Sequence, residues 1–97
     1  MKIPLKYQVF DEKITITDKD AERLKQYLTG WNKLVQVLIA GVNKPDIQRL
    51  IILELMGKRR PQIIDKLLVR LGKIERERIE ERIMIQGIGH WVKVRHA

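Results

Sequence analysis

Apolar and polar positions change their period along the chain, and each change predicts an element. From Lys2 to Thr17 the period is two. Ile3, Leu5, Tyr7 and Val9 alternate with Lys2, Lys6 and Gln8, and Ile14 and Ile16 alternate with Lys13, Thr15 and Thr17. Alternation puts successive apolar side chains on one side of an extended chain, so residues 1–17 are expected to form a short β hairpin turning at Asp11-Glu12. Pro4 cannot donate to a ladder and places the first strand at an edge.

Steps of three and four follow. Leu24, Tyr27, Leu28, Trp31, Leu34, Val35, Leu38 and Ile39 share one face of a helix predicted over 18–40. Asp18 is its expected N-cap, with Asp20 and Glu22 in the first turn, where the helix dipole favours anions. Gly41 is its stop. Gly30 falls off the apolar stripe and leaves no hole in the packing face. A second helix is predicted over 45–56. Asn43 or Lys44 caps it, Pro45 suits its first position and Gly57 ends it. Ile47, Leu50, Ile51, Ile52, Leu53, Leu55 and Met56 cover most of its circumference, so it belongs at the centre of the fold.

The third helix is predicted over 61–85, starting at Pro61. Ile63, Ile64, Leu67, Leu68, Leu71 and Ile74 form its inner stripe, which Ile79 and Ile83 extend. Its length leaves the far end free to project or to meet a second subunit. Gly87 and Gly89 end it. Trp91, Lys93 and Arg95 then alternate with Val92 and Val94, the pattern of a strand over 90–96. The expected fold is mainly α in an α+β frame. It is a single domain over 1–97, a three-helix core with an N-terminal hairpin and a C-terminal strand.

Gly57, Lys58, Arg59 and Arg60 join the buried helix to the amphipathic one. A short glycine-containing turn between two such helices outlines a helix-turn-helix. In that motif the second helix enters the major groove, and cations around its start hold phosphates. At about 100° per residue, Gln62, Lys66, Val69, Arg70 and Lys73 fall within roughly a quarter turn, opposite Ile63, Ile64, Leu67 and Leu71. Lys and Arg neutralise phosphate, Arg and Lys read guanine, and Gln reads adenine through paired hydrogen bonds. Val69 suits a thymine methyl or a subunit contact. The strand carrying Lys93 and Arg95 beside this helix resembles the wing of a winged-helix protein. That likeness covers 45–97 and implies phosphate or minor-groove contact for those two residues. The chain departs from it in having one strand where a wing has a hairpin. It departs from the usual helix-turn-helix in placing Lys58, not an apolar residue, after the turn glycine.

Charge sharpens this picture. The 97 residues carry a formal +8, with a pI near 10.1. Residues 1–56 hold nine cations against seven anions, 57–82 nine against five, and 83–97 two against none. Most of the excess therefore lies from Gly57 onward, which favours a polyanionic partner. The expected nucleic-acid contacts are Lys58, Arg59, Arg60, Gln62, Lys66, Arg70, Lys73, Lys93 and Arg95. Farther along, Lys73–Glu77 and Arg76–Glu80 are spaced as i,i+4 pairs and belong to a solvated face.

The first expectation is a small regulator that binds duplex DNA, with a homodimer reinforcing one module's affinity. The alternative is a non-enzymatic interaction protein binding an acidic protein surface, as small phage accessory or inhibitor proteins do, or an RNA-binding protein. The same cations also suit the solvated side of an ordinary amphipathic helix. A mean hydropathy of −0.26 and 44% hydrophobic residues describe a soluble globular chain. No apolar run approaches a membrane span, and Lys6 and Gln8 interrupt the N-terminus too early for a signal peptide. Zero cysteines fits the cytoplasm and removes disulfides and thiolate ligands. Serine is absent too, so the commonest nucleophiles are missing. Gly87-Ile88-Gly89 lacks the setting of a nucleotide loop. His90 and His96, the only histidines, have no carboxylate near them in sequence. Neither an enzyme, a metal nor a cofactor is expected.

Overall fold

The computed structural model describes residues 1–87. Five α-helices follow in chain order: α1 (Asp18–Lys25), α2 (Trp31–Ala40), α3 (Lys44–Met56), α4 (Pro61–Val69) and α5 (Lys73–Gln86). Single 3-10 turns stand at Leu5–Tyr7 and Gln26–Leu28. The mainly helical class is as expected.

α3 is the axis of the fold. The Asn43 side chain accepts from the Asp46 amide at 3.0 Å, Pro45 sits in the first turn, and Gly57 follows the last residue. Leu50, Ile51, Ile52 and Leu55 are fully buried, and α1, α4 and the Leu5–Tyr7 turn pack around them. Burying four such side chains contributes about 6–12 kcal/mol before the opposing chain entropy.

No strand occurs among the described residues, so the N-terminal hairpin is not formed. The alternation had the right physical meaning and the wrong partner. Val9, Ile14 and Ile16 do turn inward and are buried, from a segment without regular structure. What a second strand would supply comes from side chains. Gln8 Nε2 donates to Ile14 O at 3.1 Å, and the Ile14 amide donates to Gln8 Oε1 at 3.2 Å. Arg49 Nε donates to Thr15 O at 3.0 Å and Arg82 Nη1 to Val9 O at 3.0 Å. With the backbone satisfied this way, no ladder is required.

Two long helices expected from the sequence are each broken. The one over 18–40 divides into α1, the Gln26–Leu28 turn and α2, with Gly30 extended at the α2 N-cap. Thr17, not Asp18, caps α1. Its hydroxyl accepts from the Asp20 amide at 3.0 Å while the Asp20 carboxylate accepts from the Thr17 amide at 3.1 Å, a reciprocal box. The one over 61–85 breaks at Gly72, whose φ of 93° is open to glycine and strained for other residues. Each break rephases the stripe behind it. Leu34 and Leu38 stay buried while Trp31 and Ile39 face out, and Ile79 and Ile83 stay buried while Ile74 is exposed. The strand expected over 90–96, with Lys93 and Arg95, lies outside the described residues.

Candidate nucleic-acid interface

A short turn over 57–60 joins α3 to α4, and that turn is held by one buried acid. Glu54 is only 2% exposed, on the last full turn of α3. Its carbonyl accepts from the amides of Gly57 (3.2 Å) and Arg59 (2.8 Å). Its carboxylate reaches forward to Arg60. Oε2 accepts from the Arg60 amide and Nε, each at 2.9 Å, and Oε1 accepts from Nη2 at 2.9 Å. Arg60 Nη2 also donates to Leu28 O at 2.7 Å. One guanidinium thus ties the turn, the end of α3 and the Gln26–Leu28 turn together. The Glu54 hydrogen bonds hold Arg60 still further above its ordinary pKa.

The turn backbone is tight as a result. Arg59 takes φ 52°, the only left-handed non-glycine among the described residues. A Cβ on Gly57 would stand 3.2 Å from Leu53 O, closer than a side chain normally approaches.

α4 then runs nine residues from Pro61. Ile63, Ile64, Leu67 and Leu68 are fully buried and root it against α3. Gln62, Val69 and Arg70 are exposed and Lys66 is half-buried on the opposite side. Arg70 is the C-cap and keeps helical dihedrals. Gln62, Lys66 and Arg70 therefore succeed one another at about 6 Å per step, about 12 Å in all. That span is close to the roughly 12 Å width of a major groove. Lys58 and Arg59 are exposed just ahead of them in the turn. Lys73 departs from the expected sector, because the break at Gly72 moves it to the start of α5, where it is exposed.

The arginines separate the faces. Arg23 reaches Asp46 at 2.9 Å and Arg49 reaches it at 2.8 Å. Arg78 and Arg82 both engage Asp11, Arg60 engages Glu54, and Arg76 lies 3.8 Å from Glu80. Asp46 and Asp11 are held below the usual carboxylate pKa, Asp46 chiefly by Arg23 and Asp11 chiefly by Arg82. Arg59 and Arg70 meet no carboxylate among the described residues, and neither do Lys58, Lys66 or Lys73.

Two residues enter the site that the sequence pattern does not assign to it. Trp31, assigned to the core stripe, is 44% exposed and lies under the Lys66 ammonium, 5.9 Å from its ring centroid. Glu54 went unremarked. Its signal was available: a lone carboxylate inside an otherwise apolar run needs a buried cation, and Arg60 stands six residues on. Arg70 also borders a shallow groove with Leu38, Val42, Ile47, Leu71 and Glu75, between the end of α2 and the α4–α5 junction.

Among the described residues no three or more His, Cys, Asp or Glu come together as a metal cluster, and no helix is long and apolar enough to cross a membrane. Compared with protein-family models, curated proteins and solved structures, the chain finds no match.

Proposed function

We propose that this protein is a small, non-catalytic DNA-binding regulator that contacts duplex DNA through the turn after α3 and the outer face of α4. The observation that carries the reading is the run Lys58, Arg59, Lys66 and Arg70, which meets no carboxylate among the described residues, beside the amide of Gln62 on a helix rooted in the core. Cations at this spacing gain by displacing counterions from phosphate. Arg60 belongs to the same surface as the residue that sets the turn; its hydrogen bonds already point at Glu54 and Leu28. Lys73, Lys93 and Arg95 remain part of the proposed contact surface as flanking phosphate ligands, Lys93 and Arg95 lying outside the described residues.

Titration of the full chain against random duplex at several salt concentrations tests this. Affinity should fall steeply with salt, and Lys66→Ala and Arg70→Ala should each flatten the logarithmic salt slope by about 0.9. Variants that bind duplex as the parent does would remove α4 from the interface.

A second reading, docking on an acidic protein, is favoured by Val69 (53% exposed) and Trp31, apolar groups set among the same cations. Tryptophan and arginine together are common anchors of protein interfaces. This reading predicts negligible duplex affinity at about 150 mM salt, where nonspecific phosphate contacts are already weak, and stoichiometric capture of a defined acidic protein.

A further inference from the structure

The break at Gly72 gives α5 an outer face of its own. At 100° per residue, Ile74, Arg78, Glu81 and Ile85 lie within about 60° of one another on that face. Ile74 is 75% and Ile85 74% exposed, while Ile79, Glu80 and Ile83 fill the opposite side. Two bare isoleucines three turns apart, with charges between them, add little to the packing of the described residues.

The order of these four residues is self-complementary. Their spacings are four, three and four, the same in either direction. Laid antiparallel on a copy of itself, the face sets Ile74 against the partner's Ile85 and Arg78 against the partner's Glu81, and each contact recurs across the twofold axis. That is the condition an isologous interface must meet. The charges are available for it. Glu81 makes no ion pair among the described residues. Arg78 gives one N–H to Asp11, which Arg82 also holds, and a guanidinium has further donors. A parallel copy would instead oppose Arg78 to Arg78 and Glu81 to Glu81.

We infer that α5 is the self-association surface of this protein, pairing antiparallel with α5 of a second copy through Ile74, Arg78, Glu81 and Ile85. The paired stretch, Ile74 to Ile85, is about 18 Å long, so the dimer is small and forms in a concentration-dependent way. It does not depend on nucleic acid, and its test needs none.

Sedimentation equilibrium of the full chain, run up to about 1 mM, should show monomer passing into dimer. Glu81→Arg opposes arginine to arginine at both central contacts of the pair and should leave a monomer with unchanged helicity. Because the chain has no cysteine, register is read directly. An oxidised mixture of Arg78→Cys and Glu81→Cys chains should cross-link about tenfold faster than either alone, since a disulfide needs Cα atoms within about 7 Å. A chain that stays monomeric to that concentration overturns the inference. So does a dimer that survives Glu81→Arg, or one whose mixed cysteines gain no advantage.

Discussion

Around α1 and the start of α3, guanidinium groups meet carboxylates. Asp46 takes Arg23 and Arg49 together, and Asp20 adds a second acid to Arg23 at 3.3 Å. Along the turn after α3 and the outer face of α4, Arg59 and Arg70 meet none among the described residues, although this region holds only one acid, Asp65, against the six cations from Lys58 to Lys73. The same side chain closes the fold in one region and is left with unspent charge in the other. Net charge already separates the two regions, and partnership then separates individual arginines within the basic one: Arg60 is claimed by Glu54, while Arg59 and Arg70 meet no carboxylate among the described residues. The lesson is that a basic face is narrowed to its binding residues by asking which of its arginines lack acids.

The largest effect should come from the one arginine on the second region that behaves like the first. Arg60→Ala leaves the Glu54 carboxylate buried without its partner and should cost about 3 kcal/mol in urea unfolding. Arg78→Ala, at an exposed pair whose acid keeps Arg82, should cost less than about 1 kcal/mol. Equal losses would erase the distinction between a structural and a surface arginine. Next in size, Gly72→Ala puts a side chain at φ 93° and should destabilise by about 1–2 kcal/mol, with no clash to blame because the space around its Cβ is open. Arg70→Ala should weaken duplex binding about tenfold near 0.1 M salt, with unfolding free energy within about 0.5 kcal/mol of the parent. A stability loss there would show that Arg70 has a hidden partner and belongs with the paired group.

The smallest effect is a pH dependence carried by acids that arginines hold. Asp46 and Asp11 are lowered from an ordinary 3.8, Asp46 mainly by its hydrogen bond from Arg23 and Asp11 mainly by that from Arg82. The unfolded chain then binds protons more readily than the folded one. Their contribution is complete above about pH 5 and is lost progressively as pH falls past 3.8 and through the lower folded values. Acid titration of stability should show that loss, and Asp46→Asn should shallow it. Removing Arg59 and Arg70 together should leave the acid profile unchanged.

The sequence made α3 legible because its signals agree: Asn43, Pro45, a surrounding apolar run and Gly57 all mark the same helix. The inner faces of α4 and α5 were legible for the same reason. The breaks at Gly30 and Gly72 were not, since a glycine off the stripe leaves helical periodicity intact on both sides of it. The hairpin was misread because period two reports an extended chain with one buried side, and Gln8 gives that chain its hydrogen bonds from a single side chain. Within the site, Lys58, Arg59, Gln62, Lys66 and Arg70 are exposed or half-buried where the spacing put them. Arg60 was indistinguishable from its two basic neighbours until a carboxylate from the preceding helix was seen to claim it.

Position 59 sets two selective demands against each other. A left-handed residue with a Cβ carries a conformational cost of about 1 kcal/mol that glycine escapes. A library sorted for heat resistance should therefore drift toward Arg59→Gly, while one sorted for retention on an anionic matrix should reject it. Running both sorts on one pool would reveal whether the charge or the ease of the bend governs that position.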